Sequence, residues 1–97
     1  MKHKEGRTVV FRDARGKLKV SEQLLRFLRD ALLFIHPGMV PGIGYTAEEL
    51  LGPEIWNPWG PGLRRFIGRC LSWMERRRLL PIRRVTPMGK YPVRYAR

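Results

Sequence analysis

Arg65, Arg69, Ser72 and Arg76 recur at i, i+4, i+7 and i+11 within the stretch PGLRRFIGRCLSWMERRR, residues 61–78. On a helix of 3.6 residues per turn that spacing stacks them along one face. Guanidinium groups one turn apart can straddle phosphates, and a single guanidinium fork can bond both O6 and N7 of a guanine in a major groove. The chemistry is recognition of a polyanion rather than the making of bonds. A face that merely keeps a helix in solution mixes signs, whereas Glu75 is the only acid between Gly60 and the C-terminus. The face is therefore read as polyanion-binding.

Groups that could make bonds are sparse. His3 and His36 have no partners at catalytic or metal-ligand spacing. The glycines of GMVPGIG, residues 38–44, lack the Lys-Ser/Thr ending and the preceding strand of a phosphate-binding loop. Glu48, Glu49 and Glu54 sit in a cap and a turn, where structural roles suffice. Cys70, the only cysteine, allows no internal disulfide and falls on the apolar side of the long helix as a packed thiol. The expectation is a protein that is not an enzyme and uses no cofactor and no metal.

The element carrying the arginines must be held by a core. With residues set 100° apart, Leu63, Phe66, Ile67, Cys70, Leu71, Trp73 and Met74 share an arc of about 160° opposite the arginine row. Pro61 suits the first helical position, and Arg76, Arg77 and Arg78 suit the last turn, where the helix dipole favours cations. The helix is expected over 61–78. Trp59, just before it, is assigned to the core.

Upstream, residues 1–7 are polar and basic and are expected to form a mobile arm. Segments 8–12 (TVVFR) and 17–20 (KLKV) have strand character, and Asp13-Ala14-Arg15-Gly16 between them suits a type I turn. Ser21 can cap a first helix over 22–35, whose Leu24, Leu25, Leu28, Ala31, Leu32 and Ile35 share a face. Pro37-Gly38 stops it, and His36, preceding a proline, is biased out of the α region. Thr46-Ala47-Glu48-Glu49 has the capping-box pattern, opening a short second helix over 47–51 that Gly52-Pro53 stops. One more turn can form at 54–56.

Beyond the long helix, 82–86 (IRRVT) and 91–95 (YPVRY) are expected to be strands joined by Pro87-Met88-Gly89-Lys90. Tyr91, Val93 and Tyr95 would share one face. Pro92 lacks a donor, so the last strand is expected to keep an open edge.

Ninety-seven residues with 43% apolar residues make one modest core. The net charge of +12 favours nucleic acid or another anionic surface as partner. It is unevenly placed: residues 1–20 carry +5, residues 21–60 carry −3 and residues 61–97 carry +10. No apolar run approaches the length of a membrane span and the N-terminus has no signal-peptide core, so a reducing, cytoplasmic setting and no membrane partner are expected.

The order of a first helix, a short capped helix, a long basic helix and a basic C-terminal hairpin resembles the winged helix-turn-helix, over roughly residues 21–97. Small phage and bacterial regulators, excisionase-like proteins among them, are similar in size and charge. The expected fold is mainly α with small β-hairpins: three helices and a C-terminal β wing, with residues 1–20 as a basic arm that includes the N-terminal hairpin. The resemblance implies that the long helix lies in the major groove of duplex DNA with Arg65, Arg69, Ser72 and Arg76 as its reading face. Arg64, Arg83, Arg84, Lys90 and Arg94 would make phosphate or wing contacts. One departure is the stretch 52–60, longer than the turn of a simple helix-turn-helix. The implied role is sequence-specific or architectural DNA binding, as an accessory to transcription or recombination.

Two other partners fit the same charges. RNA could stack on Trp59, Tyr91 and Tyr95 if these face outward. An acidic protein could be bound and inhibited through the arginines, with an exposed Trp56 or Trp59 as anchor. Target sequence and oligomeric state are not encoded in any motif. On this reading Arg65 and Arg69 are both exposed, so their joint loss would remove most of the DNA affinity and leave stability intact.

Overall fold

A computed structural model describes residues 7–97, so the polar stretch 1–6, expected as an arm, lies outside the described residues. The chain runs β1 (Thr8–Asp13), β2 (Gly16–Ser21), α1 (Glu22–Ile35), a 3-10 turn (His36–Gly38), α2 (Ala47–Leu51), α3 (Pro53–Trp56), α4 (Pro61–Arg76), β3 (Arg83–Arg84) and β4 (Tyr95–Ala96). Helices and two small antiparallel hairpins make it mixed in class, with the helical part larger.

The N-terminal hairpin forms where expected. Asp13 faces Gly16 in the β1–β2 register, Asp13 Oδ1 accepts the Arg15 N–H at 2.9 Å, and Gly16 closes the turn at φ +122°. Phe11 and Val20 from the two strands are buried in the same core as the helices. Segment 8–20 is thus part of the packed unit rather than an arm beside it.

Ser21 caps α1 by accepting the Leu24 N–H at 3.1 Å, and Leu25, Leu28 and Leu32 form its buried stripe. His36 corrects one expectation. It adopts the αR region and gives its N–H to Leu32; α1 still ends at Ile35 as expected, and the chain then tightens through Pro37 into a 3-10 turn. The capping box of α2 is complete, with Glu49 N–H to Thr46 Oγ1 at 3.2 Å and Thr46 N–H to Glu49 Oε1 at 2.9 Å. Gly52 then breaks the helix at φ +85°, and Pro53, suited to a first helical position, starts α3. There are therefore four helices where three were expected, the extra turn occupying 53–56.

α4 begins at Pro61 as anticipated and ends at Arg76, two residues early. Arg78 takes a left-handed φ of +60° and the Leu79 N–H reaches back to the Met74 carbonyl at 2.9 Å. This six-to-one bond around a left-handed residue closes the helix end. Ile67, Cys70, Leu71 and Met74 are buried, Phe66 and Trp73 are half-buried, and Leu63 is exposed. Trp73 stacks on Phe11 with ring centroids 4.5 Å apart, fastening the first hairpin to α4. Trp59 is half-buried against the core and meets Trp56 edge-on at 5.8 Å.

The C-terminal hairpin is shorter than expected. Only Arg83–Arg84 and Tyr95–Ala96 pair as strands, around a ten-residue connection. The edge predicted to stay open is closed at Tyr95, whose N–H and carbonyl exchange 2.8 Å bonds with Tyr45 from the α1–α2 connection. Next to this bridge Arg94 donates to the Gly44 carbonyl at 3.1 Å. Gly44 is tightly enclosed: a Cβ there would stand 3.2 Å from both Arg94 Cβ and Val85 Cγ2.

Candidate nucleic-acid interface

α4 places its polar face as the floor of an open groove of about 730 Å³. One wall is the tip of the β1–β2 hairpin, with Asp13 and Arg15. The opposite wall is the connection of the C-terminal hairpin, with Met88, Tyr91 and Val93. Thr46 and Glu48 at the start of α2, with Trp56, border it as well. Arg64, Arg65, Arg69, Ser72, Arg76 and Arg84 from the expected set all line it; Arg83, Lys90 and Arg94 do not. Six arginines thus meet two carboxylates, Asp13 and Glu48, around one concavity.

The four residues of the arginine row have different duties. Arg65 and Arg76 are exposed, and no hydrogen bond or ion pair holds their side chains among the described residues. At 1.5 Å rise per residue they stand about 16 Å apart along the helix. Arg69 is not free. Its Nε and one terminal nitrogen grip the two Asp13 oxygens at 2.8 and 2.7 Å, and the pair is largely enclosed, with side chains 22% and 11% exposed. The Arg69 hydrogen bond is the main cause holding the Asp13 carboxyl down at about 2, below its ordinary 3.8. Ser72 Oγ lies 3.5 Å from the buried Tyr95 hydroxyl, whose ionisation burial pushes up. The expectation that Arg69 is exposed is therefore corrected: helical periodicity shows it leaving the core, and the hairpin tip then meets it.

The outer set divides likewise. The Arg64 guanidinium lies 5.5 Å over the Trp56 ring and donates to the Asn57 carbonyl at 3.4 Å, while its Nε is buried with no partner among the described residues. Arg84 donates to the Thr86 and Pro87 carbonyls at 2.9 and 3.4 Å, bracing the hairpin connection. Arg94 is engaged by Gly44 and by Glu49 at 3.4 Å. Arg83 and Lys90 are exposed beyond the groove.

Arg15, Trp56 and Tyr91 line the groove without having been assigned to it. Arg15 had a signal: it sits at the tip of a turn that composition already indicated. For Trp56 and Tyr91 no local pattern pointed into the groove. Of the three aromatic residues considered for stacking on bases, Tyr95 is 2% exposed, Trp59 packs on Trp56, and Tyr91 is 72% exposed. Cys70 is buried and its thiol is pushed up to about 11 by that burial, so it stays protonated at neutral pH. Among the described residues no group of three or more His, Cys, Asp or Glu side chains is arranged to hold a metal ion, and no helix is long and apolar enough to cross a membrane.

Comparison of the chain with protein-family models, with curated proteins and with solved structures finds no match.

Proposed function

We propose that the chain binds duplex DNA, with the groove along α4 as the contact surface and the protein acting as an accessory to transcription or recombination. The observation that carries this reading is the pair Arg65 and Arg76, exposed and unengaged at two ends of one helix face, in a concavity where arginines outnumber carboxylates three to one. In this reading α1, α2 and α4 with the C-terminal hairpin form a winged helix-turn-helix, α4 is the recognition helix and the 85–94 connection is the wing. Arg65 and Arg76 contact phosphate or base edges, Arg15 and Lys90 reach the backbone on either side, and Arg69 serves to fix the hairpin tip. The setting is cytoplasmic, where a lone protected thiol raises no redox demand.

Duplex is favoured over single-stranded RNA because one exposed tyrosine is not a series of stacking surfaces. The test is fluorescence anisotropy with a random-sequence duplex and a matched single-stranded RNA at several salt concentrations. Duplex binding should be tighter, with a log–log salt slope of several phosphates. Replacing Arg65 and Arg76 together by alanine should weaken it and lower that slope by about two, with far-UV CD and melting unchanged. Unchanged affinity in the double variant would remove α4 from the interface; preference for the RNA would overturn the choice of partner.

A further inference from the structure

The walls of the α4 groove limit how a duplex can meet it. An α-helix with its side chains is about 10–12 Å across, and the major groove of B-form DNA is about 12 Å wide. A helix that enters that groove must therefore stand clear of its neighbours on both sides. α4 does not. The two middle members of its arginine row are each met by another element, Arg69 by Asp13 of the β1–β2 tip at 2.8 and 2.7 Å and Ser72 by the Tyr95 hydroxyl of the C-terminal hairpin at 3.5 Å. The polar face is a floor between the tip with Arg15 and the connection with Met88, Tyr91 and Val93. What reaches such a floor is a ridge, and the ridges of a duplex are its two sugar–phosphate strands.

Gly68 marks where that ridge comes closest. It lines the groove, three residues after Arg65 and four before Ser72 on α4. Glycine inside a helix weakens it relative to alanine. No contact within the fold requires it here: the helix runs through the position without a break, and a Cβ there meets nothing within 4 Å. The space over it belongs to the groove. Towards the two ends of the floor Arg65 and Arg76 are exposed and unengaged among the described residues. Asp13 is neutralised by Arg69, which leaves Glu48 as the remaining carboxylate on the lining. A sugar–phosphate strand offers an anion at every step whatever its bases, so cations set along one line suit it. Resting on the reading of the groove as a duplex-DNA surface, we infer that one sugar–phosphate strand of the duplex lies along α4 over Gly68, with its phosphates on Arg65 and Arg76 and no base edge read by the helix.

The test sets two glycines of the same helix against each other, in full-length chains titrated with a random-sequence duplex. Gly62 lies in the first turn of α4 and does not line the groove, and a Cβ there also meets nothing within 4 Å. Gly68→Leu and Gly62→Leu should both keep the CD spectrum of the folded chain, and Gly68→Leu should melt several degrees higher than the unaltered protein because leucine is the better helix former. Only Gly68→Leu should weaken duplex binding, with a log–log salt slope lower by about one to two, since its side chain lifts the strand off Arg65 and Arg76. Selection by the unaltered protein from a pool of randomised duplexes should enrich no sequence. Three results would overturn the inference and leave the DNA reading standing: full-strength duplex binding by Gly68→Leu, equal losses in the two leucine variants, or an enriched site whose preference disappears in Arg65→Ala. Absence of duplex binding by the unaltered protein would overturn that reading and the inference with it.

Discussion

Replacing Asp13 by asparagine separates two consequences of one ion pair. The substitution keeps the shape of the side chain and removes its charge. Asp13 has its carboxyl lowered from 3.8 to about 2, mainly by the Arg69 hydrogen bond. At roughly 1.4 kcal/mol per tenfold change in proton affinity, that is at most about 2.5 kcal/mol at neutral pH. The groove is open to water, and screening there leaves an expected loss of about 1–2 kcal/mol. A domain of this size should then melt about 5–15 °C lower. The sign of the pH dependence follows from the lowered value. In the window between about 4 and 2 the unfolded chain binds the proton first, so stability falls with pH there in the unaltered protein. The Asp13→Asn protein lacks this contribution, so the gap between the two should close over that window. Urea unfolding at pH 7, 4 and 2 measures it. The same change frees Arg69 and removes a carboxylate from the groove, so duplex DNA should bind more tightly, with a salt slope steeper by about one. Equal stability of the two proteins at pH 7, or a gap undiminished at pH 2, would refute the energetic argument. Weaker DNA binding would refute the division of labour between Arg69 and its neighbours.

Two further outcomes test the packing. Leu71→Ala, at a fully enclosed position on α4, should cost about 2–5 kcal/mol in urea unfolding, whereas Phe66→Ala should cost less because Phe66 is only half-buried. Arg78→Gly should raise stability by about 1 kcal/mol in the same assay, because Arg78 holds the left-handed φ at the end of α4 that glycine adopts without a Cβ clash.

What could be anticipated from sequence was whatever is decided within a few residues. The Thr46–Glu49 capping box, the Ser21 cap, the turn at Asp13–Gly16 and the amphipathic α4 each rest on neighbours three to four positions away, and each forms. The short α3 was foreseen only as an extra turn, because Gly52-Pro53 reads equally as an end and as a restart. The misjudged features depend on partners far along the chain. Arg69 and Asp13 are 56 residues apart, and Arg94 and Gly44 are 50 apart. A helical wheel reports that an arginine leaves the core but not that a hairpin tip awaits it. The open edge expected from Pro92 failed for the same reason, since Tyr45 is invisible to any pattern within 91–95. The candidate site was therefore legible as a list of nine polar residues, six of which line one groove, and not as a distribution of tasks among them.

The enclosure of Gly44 makes the groove adjustable from a distance. Its neighbours Val85 and Arg94 are the two ends of the connection of the C-terminal hairpin, and the middle of that connection forms one wall of the groove. A methyl group at position 44 would act as a wedge at the root of that hairpin, where Arg94 and Val85 would have to give by a few tenths of an ångström, and any such shift that is passed along the connection reaches the wall beside α4. In a population of variants selected for altered affinity, some of the gains would accordingly arise at a neutral residue that touches no ligand. Gly44 is to the groove what a set screw is to the jaw of a clamp.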